Sequence, residues 1–138
     1  MVRSVSTIEL IEDERLTPSQ LVEKRSVALI NALEDNYDRQ YPNNTIQPKR
    51  FKLELGRKYW KINETNGGVH AFIDRNNGNV FKPASYKSPA KHVRYNLLDD
   101  VSRQSMFEKC HYAGGYLYFS NSDYYYLIQE IGGRIYHL

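Results

Sequence analysis

The chain has 138 residues, of which 41% are hydrophobic and 25% are charged, a composition typical of one soluble globular domain. No apolar run approaches the roughly 20 residues of a membrane-spanning helix, and the acidic N-terminus predicts no signal peptide. The single cysteine, Cys110, excludes an intramolecular disulfide and a cysteine-based zinc site and indicates a reducing compartment.

The net charge of +3 conceals an uneven distribution along the chain. Residues 48–94 hold eleven basic and three acidic side chains, net +8. Residues 1–47 hold five basic and eight acidic, net −3, and residues 95–138 hold three basic and five acidic, net −2. A basic middle between acidic ends predicts contact with an anionic partner, or with acidic segments of the same or a neighbouring chain.

The chain divides into an N-terminal arm, residues 1–16, and a single domain, residues 17–138. The arm shows no clear period, so it is either a frayed terminus or a segment that docks on another subunit. Thr17-Pro18-Ser19-Gln20 is a capping box with proline at the first helical position. It predicts a helix from about Pro18 to Arg39 or Gln40. The predicted inner face contains Leu21, Ala28, Leu29, Ala32, Leu33 and Tyr37.

From residue 51 the hydrophobic period changes to two, which indicates β-strands. Turn signals at residues 65–68 and 76–78 separate the strands into an antiparallel meander of three, or of four with the first segment. Pro83 should end the last strand because proline cannot donate to a ladder. Residues 83–97 then read as an extended surface loop. The predicted strands are FKLEL (51–55), KYWKI (58–62), VHAFID (69–74) and NVFK (79–82).

A short second helix of about residues 100–111 should begin at a cap on Asp99 or Asp100 and stop at Gly114-Gly115. Its inward-facing residues should be Val101, Ser105 or Met106, and Phe107 or Cys110. GYLYF (115–119) reads as a strand. YYYLIQEI (124–131) and RIYHL (134–138) predict a C-terminal β-hairpin. The predicted fold is therefore α+β, with a long N-terminal helix packed on an antiparallel meander, a short second helix and a terminal hairpin.

Two polar residues of the third predicted strand are candidates for chemistry. His70 and Asp74 stand at alternate positions with Phe72 between them, so the three side chains should share a face. Such a pair is typical of a general base with its orienting group, or of two metal ligands. However, alternate side chains lie roughly 7 Å apart along a strand. The alternative is a polar outer face, with Asp74 bonding the amides of the following turn.

The stronger candidate is a basic and aromatic run that leaves the sheet after residue 81. Single-stranded nucleic acid is bound by cations that hold phosphates and by rings that stack on bases. Lys58, Lys61 and Arg75 on neighbouring strands would extend the patch. The alternative is a solvated edge that uses lysine to block unwanted strand pairing. The predicted binding residues are Lys82, Tyr86, Lys87, Lys91, His92, Arg94 and Tyr95.

The terminal strands are candidates for an intersubunit surface. The chain contains twelve tyrosines, and tyrosine is enriched at interfaces. Alternation places Tyr125 on the opposite face from its two tyrosine neighbours, so some rings should face away from the domain core. The alternative is a two-sided strand partly covered by a helix. The predicted interface residues are Tyr124, Tyr125, Tyr126 and Tyr136.

No metal site and no cofactor are predicted. His92, His111 and His137 are scattered, without the close spacing of metal-binding pairs, and no P-loop, nucleophile elbow or dinucleotide fingerprint is present. No catalytic residue is therefore assigned, and we expect a protein that is not an enzyme.

The stretch VHAFIDRNNGNVFKPASYKSPAKHVRYNLLDD, followed by AGGYLY (113–118), resembles a family of small uncharacterised proteins of tailed bacteriophages, including cyanophages and aquatic viral metagenomes. The shared pattern is V-H-x-F-[IV]-D, a turn with Gly, V-[FY]-K-P-A-S, P-A-K, R-[FY]-N-L-L and A-G-G-Y-L-Y, over about residues 58–118. The resemblance implies a viral origin and a place in the virion or in the cytoplasm of the host bacterium. It implies no activity and no catalytic residues.

Three hypotheses remain. The leading one is a non-enzymatic phage-type protein that acts by binding or assembly, as a homo-oligomer, with a virion component or a host protein as partner. The second is a small single-stranded nucleic-acid-binding protein that uses the basic and aromatic patch. The third is an enzyme centred on His70 and Asp74.

Overall fold

The computed structural model describes residues 12–118. After a helical turn at 12–14, these residues form two helices and one five-stranded sheet. Each strand is antiparallel to its neighbours, in the order β1-β2-β3-β4-β5. This confirms the predicted α+β class. The elements are α1 (Pro18–Gln40), β1 (Phe51–Leu55), β2 (Tyr59–Glu64), β3 (Val69–Asp74), β4 (Asn79–Phe81), β5 (Tyr95–Asn96), α2 (Asp100–Lys109) and a final 3-10 turn (Gly115–Leu117).

Helix α1 begins and ends where its sequence signals predict. The Thr17 hydroxyl accepts from the Gln20 amide, and the Gln20 side chain accepts from the Thr17 amide, which completes the capping box. The buried stripe is rotated from the predicted face, because Ala28 is exposed and Ser26 is buried. Ser26 is tolerated there since its hydroxyl donates to the Val22 carbonyl at 2.7 Å. The buried residues of α1 are Val22, Ser26, Leu29, Ile30 and Leu33.

The sheet turns one face to α1 and the other away from it. Pairing in register aligns Ile62 with Ala71 and Ile73 with Val80. These four side chains join the apolar stripe of α1 in the core. The alternate residues of each strand lie on the outer face. Strand pairing aligns four of them in a row across β1 to β4, namely Glu54, Lys61, Phe72 and Phe81.

A β-bulge between β2 and β3 overturns the predicted outward position of His70. Ile62 pairs with Ala71, but Asn63 pairs with Val69, so His70 is an extra residue in the ladder. A bulge breaks strict alternation and re-aims the extra side chain. His70 accordingly contacts Phe51 and Tyr116 of the core, and it is only 6% exposed.

Three predicted segments differ from the structure. Residues 83–97 are not only a loop, because Tyr95 and Asn96 form β5 against β4. The predicted strand at 115–119 begins instead as a 3-10 turn, Gly115–Leu117, that buries Tyr116 and Leu117. Helix α2 begins at the predicted Asp99 cap and buries Met106 as predicted, but its Val101 is 78% exposed and not inward.

The two ends of the chain lie largely outside the described residues. The end of the predicted arm, residues 12–16, packs on α1, where Asp13 is 2.6 Å from Lys24 Nζ and 3.7 Å from Arg25 Nη2. The predicted C-terminal hairpin lies outside residues 12–118. Within those residues, neither helix has the length and apolar character needed to cross a membrane.

Candidate functional site

A groove of about 370 Å³ lies where the turn between β1 and β2 meets the outer face of the sheet. Four of its lining side chains are basic and one is a carboxylate, so the groove favours an anionic ligand. The lining residues are Glu54, Leu55, Gly56, Arg57, Lys58, Tyr59, Lys61, Phe72 and Lys87.

Lys61 is a lining residue that contacts two aromatic rings. Its Nζ atom is 4.1 Å from the centroid of the Tyr86 ring and 5.5 Å from that of Phe72. It is also 3.9 Å from Glu54 Oε2. Cation–π contacts and this carboxylate thus hold the lysine in place. Asn63 Nδ2 orients Glu54 by donating to Oε2 at 2.7 Å.

The turn between β1 and β2 presents two further cations at the rim. Arg75 fixes this turn by donating from Nη1 to the carbonyls of Gly56 at 2.9 Å and Arg57 at 3.2 Å. The Arg75 guanidinium is engaged in these two hydrogen bonds and lies 5.5 Å from the Trp60 ring. Arg57 is exposed, and Lys58 Nζ lies 5.4 Å from the Tyr59 ring. Their charges are therefore available to a ligand.

The loop after β4 brings Lys87 into the groove lining and the Tyr86 ring against Lys61. Pro83 and Pro89 form an isolated antiparallel bridge that closes the loop at its base. Within it the Ser85 hydroxyl accepts from the amides of Lys87 and Ser88, both at 3.2 Å. The loop is thus a tied structure that carries a ring and a cation to the groove.

The structure places the predicted binding residues in different environments. Lys82 lies 4.8 Å from the Tyr118 ring, and Lys91 and His92 are exposed outside the groove lining. The Arg94 amide donates to the Val80 carbonyl at 2.7 Å, beside β4.

Tyr95 belongs to the core. It is 7% exposed, and its hydroxyl donates to the Tyr116 carbonyl at 3.0 Å. Its ring therefore cannot serve as an exposed stacking surface, because β5 turns it inward with Val80. Tyr124, Tyr125, Tyr126 and Tyr136 lie outside the described residues.

His70 and Asp74 do not form the predicted catalytic or metal-binding pair. His70 Nε2 and the Tyr116 hydroxyl share a hydrogen bond of 2.8 Å. Burial, together with the charge of Lys49, lowers the pKa of His70 to about 4. Burial also raises the pKa of Tyr116 well above its usual value. The imidazole is therefore neutral near pH 7 and structural.

Asp74 is also buried and has separate partners. Its Oδ1 atom accepts from the amides of Asn76 at 2.9 Å and Asn77 at 3.1 Å, which is the turn-capping alternative. No cluster of three or more histidine, cysteine, aspartate or glutamate side chains within residues 12–118 is arranged to hold a metal ion.

Sequence reasoning missed several residues of the groove, namely Glu54, Arg57, Tyr59 and Phe72. Strand register brings Glu54, Lys61 and Phe72 together, and the alternating pattern alone does not define that register. Arg57 is brought there by a turn that the sequence marks only with Gly56.

Comparison with known proteins gives a family and no activity. No curated protein and no solved structure matches the chain. A family model does match, over residues 10–119, which include the helix, the whole sheet and the groove. The chain therefore belongs to the family of unknown function DUF7717.

Proposed function

We propose that this protein is non-enzymatic and binds single-stranded nucleic acid in the basic groove on the outer face of its sheet. The observation that carries the proposal is the juxtaposition of four basic side chains and the Tyr59 ring in the groove lining with the exposed ring of Tyr86, which lies against Lys61. Phosphates require cations and unpaired bases require flat apolar surfaces, and this groove supplies both.

The groove divides these tasks between different side chains. Lys61 is occupied by two rings and Glu54, so it mainly orders the aromatic floor. Arg57, Lys58 and Lys87 remain at the rim for phosphates. Tyr86 is 61% exposed, so one side of its ring is open to a base.

The biological setting is a second part of the proposal. The resemblance to small phage proteins supports a role in the virion or in the cytoplasm of an infected bacterium. The basic groove also suits an acidic surface of a virion or host protein. Assembly through the C-terminal tyrosines stays a prediction about residues outside those described.

The test is fluorescence anisotropy with a labelled, unstructured oligonucleotide at increasing salt. The groove variant is Arg57→Ala/Lys87→Ala, and the matched control is Lys91→Ala/Lys109→Ala, which removes the same charge elsewhere. We expect the wild type and the control to lose affinity steeply with salt. The groove variant should bind more weakly, with a log–log salt slope smaller by roughly 1.4, about 0.7 for each lost phosphate contact.

Two results would overturn the proposal. One is the absence of binding at low salt. The other is an equal loss of affinity in both double variants, because that result would indicate a diffuse charge effect and not a site.

A further inference from the structure

Strand β1 has an open edge within the described sheet. It is the first strand in the order and pairs only with β2. The Thr65 amide donates to the Arg50 carbonyl and the Gly56 amide donates to the Tyr59 carbonyl. The N–H and C=O groups of successive residues point to opposite sides of a strand. The N–H and C=O groups of even-numbered residues in β1 therefore point toward β2, and those of odd-numbered residues point away from the sheet.

The outward backbone groups are only partly occupied. The Phe51 amide donates to Glu34 Oε2 of α1 at 3.0 Å, which closes one end of the edge. The amides and carbonyls of Leu53 and Leu55 have no such partner within residues 12–118. An edge of this kind pairs readily with another strand.

We propose that two copies of this chain form a dimer by pairing their β1 strands in antiparallel orientation, with Leu53 opposite Leu53. This register places the Leu53 amide and carbonyl of each copy in hydrogen-bonding positions and lets the Leu55 amide donate to the Phe51 carbonyl of the second copy, while the Phe51 amide keeps its bond to Glu34. Leu53 pairs with its own counterpart, and Leu55 pairs with Phe51 of the second copy. The pairing is isologous, as a twofold dimer requires.

Charge complementarity selects this register. The sequence FKLEL brings Lys52 of each copy opposite Glu54 of the other when Leu53 is central. A register centred on Lys52 would oppose two lysines, and one centred on Glu54 would oppose two glutamates. Opposite charges facing each other stabilise a strand pair, whereas like charges destabilise it. The charged pair also occupies the non-hydrogen-bonded position, where side chains approach more closely.

Two side chains of β1 also support a second copy of the chain as the partner of this edge. Lys52 is exposed, and none of the ion pairs within residues 12–118 includes it. Leu55 is 62% exposed at the end of the strand, and pairing would cover it beside Phe51 of the second copy. Both features acquire partners in the dimer.

The dimer would also add a basic side chain from the second copy to the groove. A twofold axis perpendicular to the sheet leaves the outer faces of both copies on the same side. Lys52 of the second copy then lies beside Glu54, the only carboxylate in the groove lining. The β2 strands of the two copies are three strand spacings apart, about 14 Å. The grooves would therefore lie side by side on one continuous face.

A charge-swap series tests the dimer by sedimentation equilibrium without nucleic acid, so its outcome is independent of the proposed ligand. We expect wild-type protein to form a concentration-dependent dimer. Lys52→Glu should raise the dissociation constant roughly tenfold, because two symmetric attractions become repulsions. The double variant Lys52→Glu/Glu54→Lys should recover most of the affinity. Lys109→Glu, with the same charge change on α2, should have no effect.

Cysteine pairing tests the register directly. Cα atoms in a non-hydrogen-bonded pair are about 4.5 Å apart, which a disulfide can span. Under mild oxidation, a mixture of Lys52→Cys and Glu54→Cys proteins should give a crosslinked dimer of one copy of each. Either variant alone should not crosslink through its new cysteine, and wild-type protein controls for Cys110.

Three results would overturn the proposal. The first is wild-type protein that stays monomeric at every concentration. The second is a dimer that is indifferent to Lys52→Glu. The third is crosslinking of each cysteine variant with itself but not with the other, which would indicate a different register.

Discussion

The two faces of the sheet carry similar residue types and use them differently. On the inner face, His70, Tyr116 and Tyr95 are buried and linked by hydrogen bonds of 2.8 and 3.0 Å. On the outer face, Tyr86 is 61% exposed and lies over Lys61. Tyr86 and Tyr95 belong to the same sequence run, yet one is open to ligand and the other is part of the core.

The difference shows that the environment decides the role of a polar aromatic residue. A buried hydroxyl or imidazole must find a hydrogen-bond partner inside the protein, so it contributes to stability. An exposed ring beside a cation keeps one side free and is available for binding. The inner face should therefore control unfolding, and the outer face should control affinity.

The largest effect should follow from opening the inner face at Leu33, which is fully buried on α1. Leu33→Ala should lower the free energy of unfolding by about 2–5 kcal/mol, because it removes apolar contacts and leaves a cavity. Ile46→Ala is the control at a 95% exposed aliphatic position and should change it by less than about 0.5 kcal/mol. Urea denaturation measures both. Equal losses would contradict the division between the faces.

At acid pH, protonation of His70 should lower the free energy of unfolding. Its folded-state pKa, about 4, lies below the ordinary value of 6.5. The unfolded chain thus binds the proton first as pH falls. The stabilisation is complete above pH 6.5 and declines between pH 6.5 and 4, by roughly 3 kcal/mol.

The measurement is the free energy of unfolding at several pH values in that interval. His70→Gln keeps a hydrogen-bonding side chain without the titration, so its profile should be flatter than the wild-type profile. Identical profiles for the two proteins would show that other groups cause the acid sensitivity.

A smaller effect should separate the two tyrosines of the basic run. Tyr95→Phe removes a buried hydrogen bond to the Tyr116 carbonyl and should lower the free energy of unfolding by about 1 kcal/mol. Tyr86→Phe removes an exposed hydroxyl and should leave it unchanged. Denaturation of the two variants side by side checks this, and a larger loss for Tyr86→Phe would reverse our assignment.

The smallest effect on stability should come from Tyr86→Ala, which removes only an exposed ring over Lys61. Its free energy of unfolding should change by less than about 0.5 kcal/mol. Oligonucleotide affinity should nevertheless fall at least fivefold, because a stacked base contributes on the order of 1 kcal/mol or more. Anisotropy at fixed salt measures the change. Unaltered affinity would remove the ring from the binding site.

Some of the fold could be predicted because its signals are local. The capping box at Thr17 and the Asp99 cap each act within one helical turn, and both helices begin where predicted. The turns around Gly67 and Gly78 likewise separated the strands of the meander. Strand β5 was missed because two residues among prolines carry no period, and only pairing with β4 defines them.

The candidate site was less predictable than the fold. Lys61 and Tyr86 are 25 positions apart in the chain, and their contact depends on how the loop after β4 folds back. The bulge that turns His70 inward is a property of the pairing between β2 and β3. Neither the Lys61–Tyr86 contact nor the bulge can be predicted from the neighbouring residues in the sequence.

The sequence by itself determined the α+β class, the helix starts, the turns and the concentration of positive charge in the middle of the chain. These properties depend on neighbours a few residues away or on composition. Only the tertiary structure decided which aromatic residues are buried, which cations surround the groove and where His70 points. Those outcomes depend on strand register and packing between distant segments, where a shift of one residue moves a side chain to the opposite face.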